Sequence, residues 1–408
     1  LTTNSSSHHD APGTLKVVHY LGAIDLRHGG VVRAVLDLSE SLARAGHRVA
    51  LLTFDDRDVP ASWSRGAVGG PGVPGVVRLA APGFAGRLGS GALAEARGVI
   101  SGADVVHLHA MWIPSNEQIA AVCRAVGTPY VWSPHGMLDD WCMAQKALKK
   151  RVYHAAFARR ALEGAAAVHC TAEAELSQAS RWFGSARGRG VVIPLPFDLA
   201  DYRDLPGPEQ ARAKFGLRAG EKTLLFLSRL HPKKGVEVLV RAAAMLRNTG
   251  TPTRLVIAGG GDDAYEQSLR GLVKELGLGA AVLFAGFVKG REKVSLYQAA
   301  DVFVLPSSQE NFGYVVVEAM AAETPVITTR GVALWPQLER EGLAVLVEPT
   351  PEDVAREIGG LLADPDRARA MARKGRAWCL RELEPAGIIA RFVEMYGRAL
   401  AMRAGARV

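Results

Sequence analysis

Pro306-Ser307-Ser308-Gln309-Glu310-Asn311-Phe312-Gly313-Tyr314-Val315-Val316-Val317-Glu318-Ala319-Met320 decides how this chain is read. Before it, Asp301-Val302-Phe303-Val304-Leu305 is a short apolar run with β-branched and aromatic residues, which predicts a buried strand. After the polar loop, Tyr314 to Ala322 is small and apolar and predicts a helix packed tightly on a sheet. Glu310 then lies where the strand ends, and Glu318 a turn or more into the helix. Asn311, Phe312 and Gly313 stand between them, with backbone N–H groups at the helix N-terminus, where a phosphate is favoured. Two carboxylates beside an anion cradle suit a ligand that carries both hydroxyls and phosphates, as a nucleotide sugar does. The plainer alternative is a solvated Glu310 and a Glu318 in a structural ion pair.

Working outward, 408 residues suit two domains better than one, and 48% apolar content allows two sizeable cores. No apolar run approaches the ~20 residues of a membrane-spanning helix. Leu1 to Asp10 are polar and lack a cleavage site, which predicts a frayed tail rather than a secretory signal. The four cysteines (Cys123, Cys142, Cys170, Cys379) are far apart, without metal or redox spacing, and read as reduced thiols of a cytoplasmic protein. A net charge of +8 favours anionic partners such as nucleotide phosphates or acidic lipid. Aromatic and basic residues are not interleaved, which argues against nucleic acid as a partner.

In the N-terminal half, Lys16 to Gly22 predicts a strand, followed by a polar loop through Asp25, Arg27 and His28 to Gly29-Gly30 and a helix from Val31 to Ala45. The paired glycines allow backbone to approach a ligand, or they form a simple turn. Asp104 to His109 and Tyr130 to Met137 predict two further strands that place His109 and His135 at their C-terminal ends, where doubly wound sheets bind ligands. A histidine there can donate to a sugar hydroxyl or to developing charge. In the C-terminal half, strand Thr223 to Leu227 precedes Ser228-Arg229-Leu230-His231-Pro232-Lys233-Lys234-Gly235 and a helix from Val236 to Leu246. Arg229 and Lys234 thus flank a helix N-terminus and can hold a diphosphate. Asp56-Arg57-Asp58 and Asp364-Pro365-Asp366 have the Asp-x-Asp spacing of metal sites, but in loops they read better as turns or helix caps, so no metal is assigned. Gln145 to Glu163 has helical character, six basic residues and an apolar stripe of Leu148, Val152, Tyr153, Ala156 and Phe157, which suits an anionic membrane surface.

Glu310 and Glu318, with seven residues between, followed by Ala319-Met320-Ala321 and Thr324-Pro325-Val326-Ile327, resemble the signature of family 4 glycosyltransferases, the group 1 type of bacterial polysaccharide biosynthesis. The resemblance implies the α/β GT-B fold, in which two Rossmann-like domains face each other across a cleft. It also implies a nucleoside diphosphate sugar donor, retention of anomeric configuration, and no metal or other cofactor. Within it, Arg229 and Lys234 clasp the donor diphosphate, Gly29 and Gly30 lie against it, and His135 contacts the donor sugar. Backbone at Gly286, Phe287 and Val288 reads the nucleobase, and Asn311 to Gly313 with Glu310 and Glu318 complete the donor site. His135, Glu310, Arg229 and Lys234 are the expected catalytic set, with His28, His109 and Trp112 on the acceptor side. Where the family often carries Asn-Gly, this chain has Leu195-Pro196, which leaves the crossover geometry open.

The expected organisation is an acceptor-side domain over 1–205, a nucleotide-sugar domain over 206–384, and a C-terminal helix within 385–408 that packs back on the first. The expected enzyme is a retaining, metal-independent hexosyltransferase (EC 2.4) acting on a glycan or lipid-linked acceptor, cytoplasmic and peripheral on the inner face of the membrane. A nucleotide-sugar epimerase of the same fold, or a non-catalytic nucleotide-sugar-binding protein, is the alternative.

Overall fold

The computed structural model describes residues 13–405 except 67, 68, 70, 71 and 219. The tail expected over Leu1 to Asp10 and the side chain of His28 lie outside the described residues. The chain divides into two compact units. One runs to Pro196 apart from Ala172–Glu175 and also takes in the C-terminal helix Pro385–Gly405, and the other comprises Ala172–Glu175 and Phe197–Glu384. The division falls ahead of the expected 205/206 boundary. Phe197 explains why, since its ring lies 5.3 Å from Tyr202 and 6.4 Å from Tyr314, both in the second unit.

The first unit is built on eight parallel strands: β1 (Lys16–Tyr20), β2 (Arg48–Thr53), β3 (Ser64–Arg65), β4 (Gly75–Arg78), β5 (Val105–His109), β6 (Tyr130–Ser133), β7 (Ala167–Cys170) and β8 (Gly190–Val192). Their order is β3-β4-β2-β1-β5-β6-β7-β8. A parallel sheet covered on both faces needs strands that are apolar throughout. Val18, Tyr20, Leu52, Val106, Leu108, Trp132 and Val168 supply one face. On the other face, two-residue alternation along the strands carries His19, His107, His109 and His169, all fully buried. Helix Pro385–Gly405 lies there, with Phe392 and Tyr396 on the histidine rings. Helix Gly30–Arg44 buries Val32, Val35, Leu36, Leu38 and Leu42, the 3.6-residue stripe that its sequence spells out.

The second unit has six parallel strands: β9 (Lys222–Leu227), β10 (Thr253–Ala258), β11 (Val282–Gly286), β12 (Val302–Leu305), β13 (Val326–Thr329) and β14 (Val345–Val347). Their order, β11-β10-β9-β12-β13-β14, reverses direction between β9 and β12. The first sheet reverses in the same way between β1 and β5. Just beyond the carboxyl ends of such a pair the connecting loops part, which leaves the crevice where doubly wound sheets bind ligands. Among the described residues, no helix is long and apolar enough to cross a membrane.

Candidate functional site

In the second unit, the loops after β9 and β12 meet at the point of reversal. Ser308 N–H and the Ser307 hydroxyl both donate to the Lys233 carbonyl, at 2.8 and 3.0 Å, which ties the two loops together. Gly235 makes this possible. Its φ of +69° is left-handed, and a Cβ there would come within 2.2 Å of the Pro306 carbonyl oxygen. The tie brings Lys234 onto Glu310, and the two side chains form an ion pair with the lysine only 6% exposed. Glu310 is itself pinned through its backbone, donating to Gly331 O at 2.8 Å and accepting from Ala333 N–H at 3.0 Å.

Electrostatically this corner is rich in positive charge. Burial, and then the charges of Lys233 and Arg229, push the Lys234 ammonium down to about 7. The Glu310 carboxylate in contact with it works the other way. Arg229 is exposed. Lys233 and Arg229 thus lie close enough to Lys234 to act on its charge, and the helix starting at Val236 directs its N-terminus to the same loop.

Helix Tyr314–Ala321 begins after Gly313, whose φ is +79° and whose backbone leaves no room for a Cβ beside Val332. Asn311 keeps a buried side-chain oxygen without a partner among the described residues. Glu318 is held by two residues that the motif does not include. Lys293 Nζ lies 2.6 Å from one carboxylate oxygen, and the Tyr297 hydroxyl donates to the other at 3.0 Å. Burial, and then the Glu318 charge, keep the Tyr297 phenol far above its ordinary range, so it remains a donor. At the end of β11, Gly286 has a φ of +69°, Val288 is buried, and the Phe287 ring is 81% exposed.

In the first unit, Gly29 takes φ 96° and ψ −154°, a conformation open essentially to glycine, and caps the helix that Gly30 begins. The loop before it is anchored by Asp25, whose carboxyl is held well below the usual range by the Arg27 guanidinium and then by Arg57. His135 stands near the start of the loop after β6, in a left-handed conformation at φ 53°, and is 7% exposed. Its Nε2 lies 3.0 Å from His109 Nδ1, and His109 Nε2 lies 2.9 Å from His19 Nδ1. His109 therefore does not face a sugar as expected for an acceptor-side residue. It is buried, and both its nitrogens are committed to other histidines. Trp112 is half-buried, donates to the Met137 carbonyl at 3.3 Å and packs edge-on against Tyr153, with Lys150 Nζ 5.5 Å from its ring centre.

Two features weigh on the question of metal. His19, His107 and His109 bring one ring nitrogen each within 4.8 Å of one another. Yet His107 is bonded to the Tyr396 hydroxyl at 2.8 Å and the Ser133 hydroxyl at 2.6 Å, and its ring is tilted by 30° against that of His109 at 4.1 Å. Both nitrogens of His107 and both of His109 are thus already hydrogen-bonded, and a cation would have to displace those partners. Asp364 of the second Asp-x-Asp accepts from Arg367 N–H as a helix cap, and Asp58 of the first accepts from Leu26 N–H.

Residues 29–196 match the glycosyl transferase 4-like domain, and residues 208–378 match the glycosyl transferases group 1 domain. A D-inositol 3-phosphate glycosyltransferase of Kineococcus radiotolerans is 30% identical over 85% of each chain. The chain belongs to the group 1, family 4 type glycosyltransferases. Among solved structures, Anabaena HepE in complex with UDP-glucose superposes with a TM-score of 0.74 at 19% identity, covering 94% of this chain and 99% of that one. Sucrose-phosphate synthase from Thermosynechococcus elongatus does so with a TM-score of 0.72 at 25% identity, covering 95% and 100%. The fold is therefore the two-domain GT-B type.

The positions that the motifs left unnamed in this glycosyltransferase are Lys293, Tyr297, His19, Ser133 and His169. None of the five carried a signal of its own; the i, i+2 spacing of His107 and His109, which puts both on one face of a strand, hints only at where those two lie.

Proposed function

We propose that this glycosyltransferase moves a hexosyl group from a nucleoside diphosphate sugar to a glycan or lipid-linked acceptor, with retention and without a metal ion. The observation that carries this reading is the corner where β9 and β12 part. There a buried lysine, its carboxylate partner and two further cations lie beside a helix N-terminus. A departing diphosphate brings the negative charge that corner is short of, and cations there do the work that a divalent metal does elsewhere. Glu310 then orients sugar hydroxyls, and Glu318, steadied by Lys293 and Tyr297, accepts from the ribose hydroxyls. The exposed Phe287 ring offers a face on which a base can stack. UDP-glucose bound to the structurally similar HepE supports the donor class.

A lipid-linked acceptor is supported by the surface of residues 147–163, which form a helix with a π-turn at His154–Ala158. Leu148, Val152 and Phe157 are 78%, 59% and 55% exposed, among the exposed Lys149, Arg151, Arg159 and Arg160. An apolar stripe that packed on the sheet would be covered, and this one is not.

The test is a thermal-shift panel of UDP-, GDP- and ADP-sugars, followed by transfer assays in EDTA with the donor that stabilises. One donor class should raise the melting temperature, turnover should survive EDTA, and NMR of the product should show the donor's anomeric configuration. In Glu310→Gln, turnover should fall by about 100-fold or more with the fold intact. Loss in EDTA restored by Mn²⁺ or Mg²⁺, or a fully active Glu310→Gln, would overturn the proposal.

A further inference from the structure

His135, His109 and His19 form a line of three imidazoles joined by the two hydrogen bonds described above, with neighbouring rings stacked at 5.3 and 5.2 Å. Burial holds all three neutral. It pushes His135 and His19 down to about 3 and lowers His109 well below its ordinary value. A neutral imidazole carries one N–H and one lone pair. Both bonds must then run in the same direction, because two donors aimed at His109 would require an imidazolate, and two donated by it an imidazolium.

Only two arrangements remain. In the inward one, His135 Nε2–H donates to His109, His109 donates to His19, and the last proton sits on His19 Nε2. That atom is buried and has no partner among the described residues. In the outward one, His19 Nδ1–H donates to His109 Nε2, His109 Nδ1–H donates to His135 Nε2, and the last proton sits on His135 Nδ1. The Nδ1 atom makes no hydrogen bond to any described residue. A stranded buried N–H is the rarer and costlier end for such a line, whereas an N–H at the margin of the site can be met by water or ligand.

We propose that His109 and His19 are positioning residues that fix His135 in its Nδ1–H tautomer, so that it offers a ligand oxygen a hydrogen-bond donor and not a basic lone pair. This rests on the proposed sugar transfer only for the identity of that oxygen, a hydroxyl or phosphoryl oxygen of the donor. It carries a mechanistic consequence. With Nδ1 protonated and Nε2 accepting from His109, His135 has no free lone pair with which to take the acceptor's proton.

A long-range proton–nitrogen correlation spectrum of the ¹⁵N-histidine-labelled protein reads the tautomer directly, with His135 assigned by its loss in His135→Asn. The expected result is Nδ1–H, and an Nε2–H or doubly protonated ring overturns the proposal. Because the spectrum is taken without ligand, failure of sugar transfer would sink the proposed function and leave this reading standing. Two variants extend the test. The amide N–H of His109→Asn falls near the place of Nδ1–H, so it should keep the His135 tautomer and leave kcat within about threefold, while His109→Leu should let the tautomers mix and lower kcat about tenfold, with KM for the donor little changed, the worth of one hydrogen bond. Equal losses in both variants with an unchanged His135 tautomer would overturn it as well.

Discussion

At the scale of single residues, the second-unit site depends on a backbone position that carries no chemistry. Gly235 lets Lys234 turn onto Glu310 only because nothing projects toward the Pro306 carbonyl. Gly235→Ala meets both a left-handed φ and a backbone oxygen that cannot swing aside. The expected cost is about 2 kcal/mol or more, measured by urea unfolding, with a weakened donor because the Lys234–Glu310 pair is displaced. Unchanged stability would mean that the loop over residues 232–235 relaxes freely. The residues around this pair were legible in advance to different degrees. Arg229, Lys234, Glu310 and Glu318 stand in short local patterns beside strands and helices that announce themselves. Lys293 and Tyr297 were not, because they approach Glu318 from helix Gly290–Ala299, far along the chain and without a motif of its own.

At the scale of elements, strand ends and helix starts followed from local pattern, with Asp364 capping a helix as its loop position suggested. Which strands lie side by side did not, since neighbours in a parallel sheet are set by crossovers. The line from His19 on β1 through β5 to the loop after β6 becomes visible only once the order β1-β5-β6 is known. The basic segment is another case, because its hydrophobic spacing alone fits either a covered or an exposed stripe. The structure turns Tyr153 inward, where its hydroxyl donates to Glu117 at 2.8 Å, and leaves Leu148, Val152 and Phe157 outside. Such a helix should carry the protein onto acidic but not neutral vesicles in co-sedimentation, and less so at high salt, since each basic residue near an anionic surface contributes about 1 kcal/mol. Changing Lys149, Arg151 and Arg159 to Ser should weaken recovery, as should changing Leu148 and Val152 to Ser. Equal recovery with both lipids, or none at low salt, would favour a soluble acceptor.

At the scale of the whole molecule, the two units differ in how they meet acid. Five histidines of the first unit (His19, His107, His109, His135, His169) are at most 7% exposed, while His231 is the only histidine of the second. Burial lowers every one of the five: His19 and His135 to about 3, His169 to about 4, and His107 and His109 well below their ordinary value. Among the described residues no carboxylate opposes the shift, and Arg391 adds to it at His169. The unfolded chain takes up these protons near the ordinary histidine value of about 6.5, whereas the folded unit refuses them until near pH 4 or lower. The unfolded state therefore binds more protons across that window, and stability falls as pH falls through it, by up to about 1.4 kcal/mol per pH unit for each ring. Its full contribution is present above about pH 7. Hydrogen-exchange mass spectrometry between pH 7 and 4.5, corrected for the intrinsic exchange rate, should show peptides covering β1, β5 and β6 losing protection first. Peptides covering β9, β10 and β12 should hold at the same pH. Loss in both units together would show that acid acts through carboxylate pairs common to the molecule. Protection of β5 that persists at pH 4.5 would show that the histidine row yields a gap too small to govern the first unit's stability.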